Sequence, residues 1–558
     1  MPWGGLTTKR DLARLHDLAS ILIRYGFTDV VGRLGLAPVL ERAGRVLPLG
    51  QLEELARLPA PVRVRRAIEE MGPTFIKLGQ VLSTRVDLLA KEWIEELGRL
   101  QSQVPPVPWA EVRQQLVEDL GGAPEEAFAE LDQQPLAAAS IAQVHRARLR
   151  DGTAVALKVR RPGIQQVVEA DMRILERVVH LIETRLPEYR ALQPAAILQQ
   201  FKVALTAELD LADECRHAER IAENFKGHEE LVVPKVYWEY TSQRMNAQEL
   251  VEGLSVSNPG ALEAAGIDRK FIARRGAQIV LKMLFEDGFF HADPHPGNLF
   301  VLPGSRIALI DYGMVGRLSE ARREQVMVLL AALIGKDAER ATDVLLEWAR
   351  DSEIDEDKLS SEVDALVDRY CGVALGRLDM TGMLADVTGV LRRHGVVLPS
   401  DLSLLLKALL TLEGMARTLD PDFNTVNEAE PFLRRAMLAR YSPKAIAEQG
   451  LRAAADLAAT FPRDMRRLVR AARAGKLKLS VDLNRSEAFA AAGLERSTDR
   501  LILGLMASAL IVGASIALPF DIGVRVLGLP LLSAIGYLTA AGVGARLVLS
   551  ARRKRQDK

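Results

Sequence analysis

The sequence predicts a helix-rich α+β protein that ends in a hairpin of two membrane-crossing helices. Three observations carry that expectation. Ala, Leu, Arg and Glu are abundant while aromatics make up only 5% of the chain, a composition that favours helix. From about residue 130 to 160 the pattern turns to strand, with an Asp-Gly pair between two apolar runs, which reads as a β-hairpin. Near the C-terminus two stretches of 20 residues carry no charge, and each is long enough to cross a hydrocarbon core of about 30 Å. At 558 residues, 48% of them hydrophobic, the chain has enough apolar material for a large core and implies at least two structural parts.

The formal charges balance, 73 basic against 73 acidic. That balance gives no sign of a nucleic-acid partner, which normally calls for a basic excess or stripe. The two cysteines, Cys215 and Cys371, are far apart and form no CxxC pair, so a disulfide or zinc site is not expected. Both read as buried or incidental thiols in a reducing compartment. The segment from Met1 to Asp11 has no apolar signal region, so most of the chain is expected in the cytoplasm.

Along the chain, residues 1–60 read as short helices broken by Gly and Pro. Residues 61–120 read as mostly helical, with a loop at Val104–Pro108. Val144–Leu149 and Ala154–Val159 are the predicted strands on either side of Asp151-Gly152. Residues 164–226 read as long helices, Leu231–Tyr240 and Leu250–Val256 as strand-like, 268–288 as a helix, and 318–480 as almost wholly helical. In the tail the uncharged segments are Leu501–Phe520 and Val526–Ala545, joined by Asp521–Arg525. Small residues recur at every fourth position, Ala509, Gly513 and Ala517 in the first and Gly536, Ala540 and Gly544 in the second, a spacing that lets membrane helices pack closely. Arg496 and Arg500 precede the pair and Arg552 to Arg555 follow it, which puts both ends on the cytoplasmic side. A basic run from Arg463 to Lys478 reads either as a surface for anionic lipid or as a solvated helix face.

The densest chemical signal is His291-Ala292-Asp293-Pro294-His295-Pro296-Gly297-Asn298, followed by Asp311-Tyr312-Gly313. Protein kinases place an Asp and an Asn at this interval in the catalytic loop, then an Asp-Phe-Gly across a short hairpin. Leu299–Leu302 and Ile307–Ile310 supply the two strands and Pro303-Gly304-Ser305 the turn. Phosphoryl transfer needs a divalent cation to neutralise the phosphate oxygens, and carboxylate and amide oxygens suit magnesium. Asn298 and Asp311 are therefore the expected metal ligands. Asp293 is expected to orient the acceptor or take its proton, and His291 to brace the loop.

Val155-Ala156-Leu157-Lys158-Val159 matches the strand whose Lys meets nucleotide phosphates and pairs with a helix acid. The partner is expected from Glu208, Asp210 or Glu214, read as lying on one helix with Asp210 and Glu214 sharing a face and Glu208 roughly a third of a turn away. Where a Gly-rich phosphate loop is expected, the chain has Ala137-Ala138-Ala139-Ser140. Backbone amides there can still meet phosphate, although alanine methyls restrict positive φ and close approach. Gly72-Pro73-Thr74-Phe75-Ile76-Lys77-Leu78-Gly79-Gln80 lies upstream, with Lys77 and Gln80 about one helical turn apart.

Together these residues resemble the UbiB/ADCK family of atypical kinases, from about residue 60 to the end. The resemblance rests on Lys77-Leu78-Gly79-Gln80 (the family's KxGQ), the Ala-rich loop 137–140, Lys158, Glu208-Leu209-Asp210 (its ExD), Asp293, Asn298 and Asp311. It implies a two-lobed protein-kinase-like fold, with residues 1–125 as an N-terminal helical extension carrying KxGQ. The kinase-like domain is then 126–480, its small lobe about 126–255 and its large lobe about 256–480. A linker at 481–500, two spans within 501–549 and a basic tail at 550–558 complete the division. The resemblance further implies that the KxGQ helix lies over the place where a peptide would dock, with Lys77 and Gln80 meeting the ExD residues as regulatory contacts and Glu214 pairing with Lys158. ATP with Mg2+ or Mn2+ is the implied cofactor, held by the Ala-rich loop, Lys158, Glu208 and Glu214, with adenine contacts near Glu249 and Val251. The implied setting is ubiquinone biosynthesis at the inner membrane, with a lipid or quinone intermediate and quinone-biosynthesis proteins as partners. Two departures stand out: Glu214-Cys215 replaces the frequent Glu-Ala, and Arg244–Gln248 is polar where an apolar strand is expected.

Two other readings are weighed against the membrane-tethered ATPase or kinase. A small-molecule phosphotransferase of the aminoglycoside type uses the same loop spacing, but KxGQ and the apolar tail argue against it. A nucleotide-gated lipid-binding pseudokinase scaffold would be marked by loss of the Lys or of a metal ligand, and here Lys158, Asp293, Asn298 and Asp311 are all present.

Overall fold

The structure, a computed structural model, describes residues 9–35, 58–85, 88–100, 104–185, 193–349, 354–370, 380–394, 396 and 398–440, and in the tail residues 508, 510, 514, 525–526, 529–530 and 535–542. The chain divides into two compact units, Met1–Ala447 and Glu448–Lys558.

The first unit opens with helices α1 (Lys9–Arg24), α2 (Ala60–Met71) and α3 (Pro73–Leu82), with shorter helices at Thr28–Arg33 and Lys91–Leu97. Gly72, at φ 94°, makes the sharp joint between α2 and α3, and Pro73 starts α3 where its missing N–H costs nothing. After the Val104–Pro108 loop come α4 (Trp109–Leu120), β1 (Phe128–Ala138), β2 (Ala142–Leu149), β3 (Ala154–Arg160), α5 (Ile164–Arg185), α6 (Pro194–Glu208), α7 (Leu211–Asn224) and β4 (Met245–Glu249). The four strands form one antiparallel sheet in the order β1-β2-β3-β4. The predicted hairpin is present: Thr153 N–H donates to Asp151 Oδ1 at 2.9 Å and Gly152 takes φ 90°.

Two cores form in this half. Val112 and Leu116 of α4 pack on Phe128, Val155, Leu157 and Met245 of the sheet. The N-terminal helices share a separate core with α5 and α6, built on Leu15, Ile68, Phe75, Ile174 and Phe201. A buried ion pair pins that junction: Arg14 Nε lies 2.6 Å from Asp171 Oδ1, and the Asp171 side chain is fully buried.

The larger core lies in the following segment: α8 (Arg269–Lys282), β5 (Phe289–His291), β6 (Leu299–Leu302), β7 (Arg306–Leu309), β8 (Val315–Arg317), α9 (Glu320–Gly335), α10 (Ala338–Trp348), α11 (Glu356–Tyr370), α12 (Met380–Arg393), α13 (Ser400–Leu419) and α14 (Thr425–Arg440). β6 and β7 form the antiparallel hairpin expected between Asn298 and Asp311, while β5 pairs with β8. That second pairing needs Gly316, because a Cβ there would meet the buried Phe290 ring at 2.1 Å. The predicted helix at 268–288 is α8, continued by a wider turn through Met283–Asp287.

Three expectations are corrected. Glu208, Asp210 and Glu214 do not share a helix: α6 ends at Glu208, and Asp210 caps α7 by accepting the Ala212 N–H at 3.0 Å. An Asp here competes for the free N–H groups of a helix start and so ends one helix and begins the next. The strand-like runs Leu231–Tyr240 and Leu250–Val256 shrink to Leu231–Val232 and Leu254–Ser255, while the polar stretch between them supplies β4. Asn246 and Gln248 are buried because they have partners: their side-chain amides donate to the Leu211 carbonyl and to Cys215 Sγ. Met245 and Ala247 alternate with them into the sheet core.

In the second unit, Arg525 and Val526 pair with Pro530 and Leu529 in a short antiparallel ladder, and a helix covers residues 535–542. The second apolar segment therefore does not run as one helix from Val526. Pro530 cannot donate to a helical hydrogen bond, and it holds the residue before it extended. Among the described residues no helix is long and apolar enough to cross a membrane. Most of both predicted spans, the basic run 463–478, the linker 481–500, the tail 550–558 and Cys371 lie outside the described residues.

Candidate active site

Strand β3 aims Lys158 by simple alternation. Val155, Leu157 and Val159 are fully buried on the face covered by α4, so Lys158 projects from the opposite face. There its ammonium lies 2.8 Å from Glu214 Oε2 and 3.2 Å from Asp311 Oδ1. Of the three candidate partners, Glu214 in the first turn of α7 is the one that reaches Lys158. Burial works against the Lys158 charge, but the two carboxylates overcome it and hold the ammonium above the usual lysine range. The Lys158 ammonium in turn holds Asp311 well below the usual carboxylate range. Burial pushes Glu214 up to about 7 against the pull of Lys158.

The loop after β5 is braced as a unit. The Asp293 N–H donates to His291 Nδ1 at 3.0 Å, which leaves His291 Nε2 to donate to the Asp311 carbonyl at 2.9 Å. His291 is therefore a neutral imidazole tying the Asp293 segment to the Asp311 segment, and burial keeps it below the usual histidine range. Asn298 Nδ2 donates to the Asp293 carbonyl at 3.3 Å, which leaves the Asn298 amide oxygen as an open acceptor. Asp311 adopts φ 62°, a left-handed conformation that a non-glycine residue holds only where its surroundings enforce it. The enforcement is visible next door: Tyr312 is fully buried and its hydroxyl donates to the Leu309 carbonyl at 2.7 Å. An amide oxygen and an ionised carboxylate form a hard-oxygen pair suited to magnesium that also takes phosphate oxygens. The donor set thus fits the implied metal.

Lys77 of α3 forms an ion pair with Glu208 at the end of α6, and the Lys77 charge also favours ionised Asp311. Gln80 donates to the Leu100 carbonyl at 3.3 Å. Gly79 lies between them because a Cβ there would meet Leu100 Cδ1 at 2.3 Å. Asp210, expected as a regulatory contact of Lys77 and Gln80, serves as the α7 cap. Sequence reasoning missed Lys407 of α13, whose ammonium lies 3.4 Å from Asp293 Oδ2. Nothing in a Leu-rich helical stretch distinguishes that lysine from a surface one.

Ala137 and Ala138 end β1, and Ala139-Ser140 turn the chain into β2, with the Ala139 N–H donating to the Ala142 carbonyl. None of the four takes a positive φ, so the turn needs no glycine. Arg161, also missed, holds it: Nε donates to the Ala139 carbonyl and a terminal nitrogen to that of Pro105, each at 2.8 Å. At the end of β4, the Glu249 N–H donates to the Lys235 carbonyl, and Glu249 Oε2 accepts the Lys235 N–H. Val251 follows, half-buried. Cys215 is fully buried beside Glu214, and burial pushes its thiol up to about 11.

Residues 99–345 match the ABC1 atypical kinase-like domain, residues 363–424 the UbiB helical domain and residues 488–553 the ABC1/UbiB kinase-like C-terminal domain. A probable protein kinase UbiB from Vibrio parahaemolyticus is 33% identical over 79% of this chain and 82% of its own. The chain belongs to the UbiB family of atypical kinase-like proteins. The probable UbiB kinases of Aeromonas hydrophila and Azotobacter vinelandii are each 34% identical, covering 79% and 78% of this chain and 81% and 82% of theirs. Among solved structures, the complex of Rv3197 with erythromycin from Mycobacterium tuberculosis aligns at a TM-score of 0.37 and 20% identity, over 58% of this chain and 89% of that one. The kinase-like, helix-rich α+β fold follows from the UbiB family match.

Proposed function

We propose that this chain is a membrane-anchored phosphotransferase or ATPase of the UbiB family that uses ATP and a divalent metal and supports ubiquinone biosynthesis. The observation that carries the reading is the contact of Lys158 with both Glu214 and Asp311. It joins the sheet, the helix α7 and the metal-ligand segment in one charge network. A bound magnesium ion would supply charge neutralisation at the phosphate oxygens. Asn298 and Asp311 are the residues that would hold it, and Lys158 would meet the phosphates nearer the sheet. Asp293 orients the acceptor. The Ala137–Ser140 turn would lie beside the phosphates, with the Ala139 N–H and carbonyl already engaged by Ala142 and Arg161.

The Lys77–Glu208 pair supports an acceptor smaller than a folded protein, since it ties the extension to the acceptor side. Water, a lipid or a quinone intermediate are the acceptors of that reading. Membrane anchoring is supported by the two uncharged 20-residue segments and by the packing at 535–542. There a Cβ on Gly536 would meet the Ala514 Cβ at 2.8 Å, while Ile535 and Leu538 are exposed. Small residues inside and large apolar residues outside are what lipid-facing helices show.

Magnesium-dependent ATP hydrolysis by the full chain, with and without anionic liposomes, tests this. Hydrolysis that rises with lipid and disappears in Asp311→Asn is the expected result. Nucleotide binding without turnover under either condition would replace the enzyme by a nucleotide-gated scaffold.

A further inference from the structure

The acceptor side holds a cation with too few partners. Lys407 comes from α13, in the large lobe, and its side chain is only 17% exposed. A lysine ammonium has three N–H donors. Among the described residues Lys407 finds one carboxylate oxygen, Asp293 Oδ2 at 3.4 Å, and one thioether, Met314 Sδ at 3.3 Å. The first is a loose contact and the second a weak acceptor. A sheltered ammonium so poorly matched is expected to have another anionic partner.

The surroundings say what that partner is. The segment His291–Asn298 contains no Lys or Arg, so the catalytic loop brings no strong cation of its own. Lys158 is already held by Glu214 and Asp311 on the nucleotide side. Lys77, close enough to disfavour the Lys407 charge, is paired with Glu208. Lys407 is thus a cation whose one protein carboxylate contact among the described residues is the loose one to Asp293. A lysine meets phosphate as a compact point charge with rotatable donors, and it needs no fork geometry to do so.

We propose that Lys407 binds the terminal phosphoryl group of the nucleotide, opposite the metal ligands, and releases Asp293 to the acceptor when it does. The assignment rests on the nucleotide reading above. No bond to Lys407 forms or breaks; one ion pair is exchanged for another. Its part is to hold and neutralise the group in transit, and it acts on the third phosphate alone.

The test is calorimetric titration of the full-length, detergent-solubilised protein with AMP-PNP and with ADP, each with magnesium. Wild type, Lys407→Ala and Lys407→Arg are compared. In Lys407→Ala, AMP-PNP affinity is expected to fall about tenfold or more while ADP affinity stays within about twofold, since one charged hydrogen-bond partner is lost at the third phosphate only. Lys407→Arg is expected to recover most of the loss. Equal losses for both nucleotides, or no loss for either, would overturn the assignment and leave Lys407 as a structural counter-ion of Asp293. A wild type that binds neither nucleotide would overturn the nucleotide reading itself, and this assignment with it. Lys407→Gln keeps side-chain length without charge, and the same comparison decides if Lys407→Ala does not fold.

Discussion

The two sides of the site are built differently. The proposed nucleotide side, Lys158, Glu214, Asn298 and Asp311, is a closed network in which every charge has an opposite charge or a hydrogen-bonded backbone group beside it. The proposed acceptor side, Lys77, Glu208, Asp293 and Lys407, is assembled from four distant parts of the chain and is looser. Among the described residues Glu208 Oε2 is buried without a partner, and Lys407 reaches Asp293 only at 3.4 Å. The difference teaches where change is expected: the Lys158 network is preorganised, while the cluster around Asp293 has polar capacity in reserve.

The largest effect separates the two sides directly. Lys158→Ala removes the cation common to Glu214 and Asp311 and is expected to lower ATP turnover on the order of 10²–10³-fold, the usual consequence of losing one preorganised electrostatic group. Phosphate release under saturating magnesium measures it, and a loss below about tenfold would mean the network is structural. Next in size is the extension's anchor. Arg14→Ala leaves the buried Asp171 carboxylate without its cation, so stability should fall by about 3 kcal/mol. Denaturant unfolding reads this, and the folded fraction should keep its nucleotide affinity because Arg14 touches neither side of the site. The smallest effect concerns Asp210. As a helix cap, its replacement by Ala should cost about 1 kcal/mol, and Asp210→Asn should restore nearly all of it because Asn caps equally well. If Asn fails to restore stability, the carboxylate charge matters and Asp210 acts through an ionic partner instead.

The same contrast decides what could be read from the sequence. The placement of the motif residues was legible because they sit in short strings with fixed spacing: Asp293 to Asn298, Asp311-Tyr312-Gly313, and Lys158 on an apolar strand. Alternation along β3 and a hairpin of known length are enough to place them. Lys407 and Arg161 were not legible because long-range packing alone brings them to the site. Asp210 was misread as a residue inside a helix, since periodicity does not register a cap that splits one helical run into two. The strand expected around Arg244–Gln248 was hard to place for a related reason. Asn246 and Gln248 make it look like a loop until α7 is present to take their hydrogen bonds. The left-handed Asp311 has no sequence mark at all; it follows from the buried Tyr312 and the His291 brace.

The most direct test of the central claim, that Lys158, Asn298 and Asp311 form a prebuilt nucleotide–metal site, is the thermal shift produced by AMP-PNP with and without magnesium. It needs no acceptor. The wild-type chain should gain stability with nucleotide and magnesium together far more than with nucleotide alone, and Asp311→Asn should lose that metal dependence. A wild-type shift indifferent to magnesium, or an Asp311→Asn chain that keeps the full metal dependence, would contradict it.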